Sequence, residues 1–303
     1  MFRELEELEA LHPELDDPNS PTRRVGGAPL EGFEQVRHPA PMLSIDDVFT
    51  EEEVREFYQR LQKNLAQDRI TVTIEPKIDG VATSLVYRDG ALDYGATRGD
   101  GLTGDDVTAN LRTIPTLPLV LTGTHPALLE IRGEVFMPDE AFGRLNEERH
   151  DAGLQTFANP RNATAGTLKQ LDSRAVAERP LDFIAHGLGV IEGLELETEE
   201  DFRSLLSSAS IPSNKPLWTA NTLDEVLSAI SELEHLRFDL PYATDGAVIK
   251  VASLLDRSAL GATSRAPRWA VAFKYPPEQK PTRLLDITVQ VLSLIHISEP
   301  TRR

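Results

Sequence analysis

The chain contains 303 residues, 40% of them hydrophobic, which is enough for one large domain or two small ones. It has no cysteine, which excludes disulfides and cysteine-ligated zinc and fits a cytoplasmic protein. The formal net charge of −18 argues against nucleic-acid binding over the whole surface, but it is compatible with a local basic groove. No apolar run reaches the roughly 18 residues of a membrane helix, so no membrane contact is predicted.

The first part of the chain has helical patterning. Apolar residues recur at helical spacing over residues 2–11, and a turn-rich connection dense in Pro, Gly, Asp, Asn and Ser follows. A clear helix is predicted after Thr50, because Thr50 and Glu53 can form a capping box. Its predicted apolar face consists of Val54, Phe57, Tyr58, Leu61 and Leu65.

From residue 70 the period changes to that of strands. Strands are predicted in "ITVTIEP", "VATSLVYRDGALDYGATRGDG" and "LLEIRGEVF", with a hairpin turn at Asp89 and Gly90. Helical patterns return at 138–150 and near 222–236, and "DGAVIKVAS" and "WAVAFKYP" are predicted as two further strands. Hairpins with interspersed helices favour an α+β fold over a doubly wound sheet.

Charged residues lie at the ends or in the interiors of the predicted strands, where burial is costly unless they are paired or bind a ligand. Three of them are lysines, which would repel one another around an empty site, and a polyphosphate between them would relieve the repulsion. Crowded cations also favour the neutral form of an amine, which makes a nucleophile available. Nearby carboxylates could accept from an adenine amine or ribose hydroxyls, or hold Mg²⁺. The residues are Glu75, Lys77, Asp79, Arg98, Glu134, Asp245, Lys250 and Lys274.

Several segments occur in the order found in the adenylation (nucleotidyltransferase) domain of bacterial NAD-dependent DNA ligases, which the chain resembles over residues 1–291. They are "EPKIDG", "GATRGDGLTGDDVTANLRTIPTLPL", "IRGEVFM", "FANPRNATAGTLKQLD", "TDGAVIKV" and "WAVAFKYPP". A K-x-D-G motif alone also fits ATP-dependent ligases and capping enzymes. The combination of "ATRGDG" with "NPRNATAGTLKQLD" favours the NAD-dependent class.

The resemblance implies a nucleotidyltransferase (ATP-grasp-like) fold with antiparallel sheets and surrounding helices, preceded by a remnant helix of an N-terminal subdomain. We expect residues 1–36 to be that remnant with a linker, residues 37–291 to form the adenylation domain, and residues 292–303 to be a non-native tail. In the family, the N-terminal subdomain recognises nicotinamide mononucleotide and an oligonucleotide-binding domain follows. We expect most of the former and all of the latter to be missing here.

The resemblance also implies a mechanism, in which a lysine takes AMP from NAD and passes it to the 5′-phosphate of nicked DNA, which is then sealed. Lys77 is the implied nucleophile, and Arg161 and Lys169 are expected to approach the nick phosphates. Asp79 and Asp245 are expected to orient lysines or to bind Mg²⁺. Contacts to the AMP moiety are expected from Ser44, Ile45, Glu75, Asp79, Gly80, Arg98, Glu134, His186, Lys250 and Lys274.

Two positions depart from the family pattern. His186 stands where many relatives have a tyrosine that stacks on adenine, and Lys169 stands where some have arginine, which alone binds phosphate bidentately. We expect a monomer without zinc that binds nicked duplex DNA weakly and with steep salt dependence. By itself, the chain is expected to react slowly with NAD or not at all, and not to seal nicks.

Two other functions stay open at this point. One is an ATP-dependent ligase or capping nucleotidyltransferase, and the other is a non-catalytic nucleotide-binding module derived from a ligase. Lys77 could also be a lysine that merely covers the end of a sheet.

Overall fold

The computed structural model describes residues 8, 9, 11, 12 and 32–275. Within them, helices surround three sheets built mainly from antiparallel strands, so the predicted α+β class is confirmed. Most of the predicted N-terminal remnant and linker lies outside the described residues, as does the predicted tail over 292–303. None of the helices in the described part combines the length and apolar character that a bilayer-spanning helix requires.

The first helix of the described core, α1 (Glu51–Leu65), begins as predicted. Thr50 Oγ1 accepts a hydrogen bond from the Glu53 amide at 3.2 Å, and the Glu53 carboxylate accepts one from the Thr50 amide at 2.9 Å. The other helices are α2 (Thr108–Leu111), α3 (Asp139–Asp151), α4 (Pro160–Leu168), α5 (Ser173–Ala177), α6 (Glu199–Ser208), α7 (Leu223–Leu236) and α8 (Leu254–Leu260). The patterns at 138–150 and 222–236 correctly predicted two of them, α3 and α7.

The strands of the described part are β1 (Gln35–Arg37), β2 (Asp47–Val48), β3 (Val72–Ile78), β4 (Val81–Arg88), β5 (Ala91–Thr97), β6 (Thr103–Asp105), β7 (Leu128–Phe136), β8 (Asp182–Glu192), β9 (Trp218–Ala220), β10 (Thr244–Val251) and β11 (Ala270–Lys274). They form a five-stranded sheet in the order β2-β11-β10-β3-β9, a four-stranded sheet in the order β5-β4-β7-β8, and a small sheet of β1 and β6. Neighbouring strands are antiparallel except β2 and β11, which are parallel.

The predicted hairpin joins β4 to β5. Asp89 and Gly90 have φ values of 46° and 81°. Two successive residues with positive φ are what a type I′ turn requires, and an Asp-Gly pair tolerates them.

A short connection links the two large sheets. Asp79 and Gly80 carry the chain from β3 of the five-stranded sheet to β4 of the four-stranded sheet. A Cβ atom at Gly80 would lie 2.2 Å from the Val135 carbonyl oxygen, so only glycine allows β7 to approach this closely. The Asp79 amide donates to the Ala243 carbonyl at 2.9 Å, which ties the connection to the loop before β10.

Each large sheet has its own hydrophobic core. In the five-stranded sheet, Ile74 and Ile249 pack with the buried face of α1 and with α7. In the four-stranded sheet, Leu129, Phe183 and their neighbours pack with α6. A third, smaller apolar cluster packs between β3 and β7, so the two sheets also share apolar contacts where they meet.

Candidate active site

A cavity of about 370 Å³ lies where the two large sheets meet, a size within the range of about 300–1,000 Å³ that is typical of small-ligand pockets. A larger hollow of about 730 Å³ beside α6 contains none of the predicted site residues. The smaller cavity collects most of them. The predicted residues that line it are Ser44, Ile45, Glu75, Lys77, Arg98, Glu134, Arg161, His186, Asp245, Lys250 and Lys274.

Strand register brings the lysines together. β10 lies between β3 and β11, and Gly246 pairs with Lys77 on one side and with Lys274 on the other. A Cβ atom at Gly246 would lie 2.0 Å from the Phe273 carbonyl oxygen, so glycine permits this close pairing. The two lysines therefore flank one residue of the central strand, next to Asp245.

Asp245 binds both of these lysines. Its Oδ1 lies 3.4 Å from Lys77 Nζ, and its Oδ2 accepts a hydrogen bond from Lys274 Nζ. Burial by itself lowers the pKa of Lys274, but the hydrogen bond to Asp245 and the charges of Asp245 and Asp47 outweigh it, so the pKa is raised. Lys274 therefore stays protonated at neutral pH.

Lys250 lies deeper, at the buried end of the cavity. Its Nζ is 2.7 Å from Glu75 Oε1 and donates to the His186 carbonyl at 2.6 Å, and Lys250 and Glu75 are only 4% and 2% exposed. The expectation that the lysines repel one another around an empty site therefore needs correction. Carboxylates of the protein itself already offset their charges, because folding places Glu75 and Asp245 beside them.

The opposite wall comes from the four-stranded sheet and the loop after β5. His186 Nε2 on β8 lies 3.7 Å from Glu134 Oε2 on the neighbouring β7. Arg98 begins the loop, and its carbonyl lies 3.1 Å from His38 Nε2 and accepts the Gly101 amide at 2.9 Å. Gly101 has a φ of 91°, a conformation that glycine adopts without strain.

Three predicted residues do not line the cavity: Asp79, Gly80 and Lys169. Asp79 Oδ1 accepts a hydrogen bond from Arg161 Nη1 at 3.0 Å, so Asp79 holds a residue that does line it. Gly80 acts through its lack of a side chain at the sheet junction. Lys169 Nζ pairs with Asp105 Oδ2 at 2.7 Å, and the Lys169 side chain is mostly exposed.

The donor set does not form a metal site of protein ligands. No group of three or more His, Cys, Asp or Glu side chains suited to a metal ion occurs in the described part of the chain. Asp79 and Asp245 each bind cationic side chains. The Mg²⁺ ion therefore stays a prediction.

Sequence reasoning missed Arg132, which also lines the cavity. Its guanidinium donates to the Pro41 carbonyl at 2.9 Å and to the Ala40 carbonyl at 2.8 Å, and its Nε donates to Glu130 Oε1 at 3.2 Å. Arg132 thus fixes the segment that leads to Ser44. The signal was available, because Glu130 and Arg132 are charged residues in the same predicted strand as the site residue Glu134.

Asn214 was missed as well, and no pattern in the sequence around it indicates a role in the site. Its side-chain amide donates to the Pro76 carbonyl at 3.1 Å, directly before Lys77, while Asn214 is only 2% exposed. The residue lies in a loop far along the chain from β3, so only the folded structure reveals this support of the Lys77 strand.

Residues 30–278 match the family described as NAD-dependent DNA ligase adenylation domain, and residues 1–26 match the DNA ligase-like, N-terminal NAD+-binding domain. The chain is 59% identical over 298 residues to a DNA ligase of Akkermansia muciniphila, covering 96% of this chain and 38% of that protein. It is 48% identical over 292 residues to a DNA ligase of Methylacidiphilum infernorum, covering 96% and 42%. The chain thus spans about two-fifths of the length of these curated relatives.

Among solved structures, a putative ATP-dependent DNA ligase from Aquifex aeolicus superposes with a TM-score of 0.43 and 15% identity, over 89% of this chain and 61% of that one. The family match covers more than half of the chain and includes every residue of the candidate site. The chain therefore belongs to the family of NAD-dependent DNA ligase adenylation domains.

Proposed function

We propose that Lys77 takes an adenylyl group from NAD. Its neutral amine attacks the adenylyl phosphorus, a nitrogen–phosphorus bond forms, and nicotinamide mononucleotide leaves with the bonding electrons. The observation that carries this proposal is the arrangement of Lys77, Asp245 and Lys274 at one end of the cavity. A nucleophile, a proton acceptor and a fixed cation lie side by side there.

The proposed division of labour follows from the charges. Asp245 Oδ1, 3.4 Å from Lys77 Nζ, accepts the proton that the amine must lose. Lys274 has a raised pKa, so it stays charged and stabilises the negative charge that develops on the phosphate. The two neighbouring lysines thereby take different roles. Lys274 is the hydrogen-bonded cation, and Lys77 is the attacking nucleophile.

The other cavity residues support binding of the adenosine and phosphate. We propose that Glu75 and the backbone near Ser44 and Ile45 contact the adenine, with His186 against its ring. Arg98 and Glu134 hold ribose and phosphate, and Lys250 contributes positive charge from the buried end. Asp79 and Gly80 act indirectly, through Arg161 and through the sheet junction.

In the second part of the proposal, AMP passes from Lys77 to the 5′-phosphate of nicked duplex DNA, and the strand is sealed during replication or repair. Arg161 lines the cavity, which supports a proposed contact with that phosphate. Lys169 lies outside the cavity, so its contact would be with the DNA backbone farther away. Because the chain spans only part of its relatives, we propose that it binds DNA weakly, reacts slowly with NAD alone and does not seal nicks alone.

The proposed domain division is an adenylation domain over residues 37–291, with residues 1–36 as part of an N-terminal subdomain and residues 292–303 as a non-native tail. The match over residues 30–278 supports the central part of this division. Mg²⁺ would enter with the nucleotide, since magnesium is commonly held by substrate phosphates and one or two carboxylates.

The donor identity is tested by incubating the chain for several hours with NAD or ATP, each labelled in the adenylyl group, and separating protein from free nucleotide. The expected result is slow transfer of label from NAD and none from ATP. Labelling from ATP alone would favour an ATP-dependent nucleotidyltransferase. No labelling together with no binding of AMP would favour a non-catalytic module.

A further inference from the structure

Behind the cavity, four charged side chains form a continuous buried network. Lys250 Nζ lies 2.7 Å from Glu75 and 3.6 Å from Glu199 Oε1, and Glu199 Oε2 accepts from Arg257 Nη2 at 2.6 Å. Each of the four is less than 9% exposed. Two negative and two positive charges balance, which is the condition under which burying them is tolerable.

Glu199 reaches this position because two backbone hydrogen bonds tie the start of α6 to the chain after β10. The Glu199 amide donates to the Ala252 carbonyl at 2.8 Å, and the Leu254 amide donates to the Glu197 carbonyl at 2.8 Å. As the first residue of α6, Glu199 also benefits from the positive end of the helix dipole. Its carboxylate is therefore held next to the strand that carries Lys250.

Arg257 fixes the carboxylate from the other side. Its Nε donates to the Val251 carbonyl at 2.6 Å, one residue after Lys250, and its guanidinium lies 4.5 Å from the centre of the Trp269 ring. The planar group is therefore held by a hydrogen bond, an ion pair and a stacking contact. Neither Glu199 nor Arg257 lines the cavity, so any effect of theirs on a ligand there must pass through another residue.

We infer that Glu199, held by Arg257, is a positioning residue that holds the Lys250 ammonium group in place and directs it at the ligand. An ammonium group has three N–H donors, and two of those on Lys250 bind Glu75 and the His186 carbonyl. At 3.6 Å, Glu199 offsets the charge without a normal hydrogen bond, so the third donor is left for the nucleotide. This inference rests on the proposed nucleotide site.

The test is a double-mutant cycle on AMP affinity, measured by isothermal titration calorimetry of the full chain. Glu199→Gln should weaken AMP binding about tenfold, a loss of about 1.4 kcal/mol of binding free energy. In a Lys250→Met background the same change should have no further effect, because Glu199 acts through Lys250. Glu200→Gln, an exposed neighbour on the same helix, is the matched control and should bind AMP like the unmodified chain.

A milder variant covers the case in which Glu199→Gln fails to fold. Arg257→Lys keeps the positive charge, but a lysine cannot bind Val251 and Glu199 with one planar group. Because Glu199 is then held less firmly, AMP binding should weaken about threefold. This loss should also vanish in the Lys250→Met background. A purely structural role would instead lower the melting temperature and leave that coupling at zero.

Three results would overturn the inference. If folded Glu199→Gln or Arg257→Lys binds AMP like the unmodified chain, the network does not position Lys250. If either change weakens AMP equally with and without Lys250, it acts by another route. If the unmodified chain itself fails to bind AMP, the proposed nucleotide site is wrong, and the inference fails with it.

Discussion

Asp245 Oδ1 lies 3.4 Å from Lys77 Nζ, so the proposed nucleophile already has a base beside it. The same carboxylate binds Lys274 through its other oxygen. This sharing explains how two lysines lie next to each other in a half-buried site without prohibitive repulsion. It also makes the roles of the three residues separable by mutation.

For the nucleophile, both Lys77→Ala and Lys77→Arg should abolish covalent labelling by NAD. Alanine has no amine, and the guanidinium of arginine stays protonated and is a poor nucleophile. Calorimetry should show that both variants still bind AMP, since the rest of the cavity is unchanged. Covalent labelling in either variant would assign the nucleophile to another residue.

For the base, Asp245→Asn should slow labelling of Lys77 by about 100-fold or more, the range of general-base contributions. It should change AMP affinity much less, because the asparagine still fills the space between the lysines. The measurement compares single-turnover labelling with AMP titration on the same preparation. Equal losses in rate and affinity would indicate that Asp245 only shapes the binding site.

For the two cationic residues, Lys250→Ala and Lys274→Ala should each weaken AMP more than adenosine, because adenosine has no phosphate. The two variants should also differ in their free energy of unfolding. Removing Lys250 leaves Glu75 and Glu199 with too little positive charge in a buried environment, which should cost about 3–5 kcal/mol of unfolding free energy. Lys274 is more exposed, so its removal should cost less in urea unfolding. A reversed order would contradict the burial seen here.

Stability should also depend on pH through Glu199. Burial raises its pKa, but the charges of Lys250 and Arg257 and the hydrogen bond from Arg257 outweigh burial and hold the pKa below the ordinary 4.5. A lowered folded-state pKa means that the stabilisation is present above pH 4.5 and is lost as pH falls through the folded value. Glu199→Gln should therefore flatten the loss of stability in acid, as measured by urea unfolding from pH 7 downwards. An unchanged acid slope would argue against this contribution.

At the sheet junction, Gly80→Ala should destabilise the protein by about 1–3 kcal/mol, since the added methyl group would meet the Val135 carbonyl oxygen. Gly32→Ala is the matched control, because Gly32 lies outside the helices and strands and a Cβ atom there meets nothing within 4 Å. The two variants are compared by thermal unfolding, with AMP affinity as the second readout. Equal stability of the two would mean that β7 can move away from the junction at little cost.

Local sequence signals predicted the elements that depend on neighbouring residues. The capping box of Thr50 and Glu53 and the turn at Asp89 and Gly90 are both determined within a few positions. The family motifs in turn predicted a set of residues that the fold brings into one cavity. Their chemical roles stay proposals.

Long-range partners could not be predicted in the same way. Glu199 and Arg257 are 58 residues apart, and Asn214 and Pro76 are 138 residues apart. Lys169 shares its motif with Arg161, yet it follows the last residue of α4 and pairs with Asp105 instead of lining the cavity. Which carboxylate offsets which lysine depends on the register between β3 and β10, and these strands lie far apart in sequence, so no hairpin turn fixes that register.

The most direct test of the proposed function is the location of the adenylyl group. The chain is incubated with NAD until its intact mass changes, then digested and mapped by tandem mass spectrometry. We predict one adenylyl group, attached to Lys77 and absent from Lys250 and Lys274. An adenylyl group on any other residue, or a chain that binds AMP but never gains the group even when the N-terminal subdomain of a relative is added, would contradict this account.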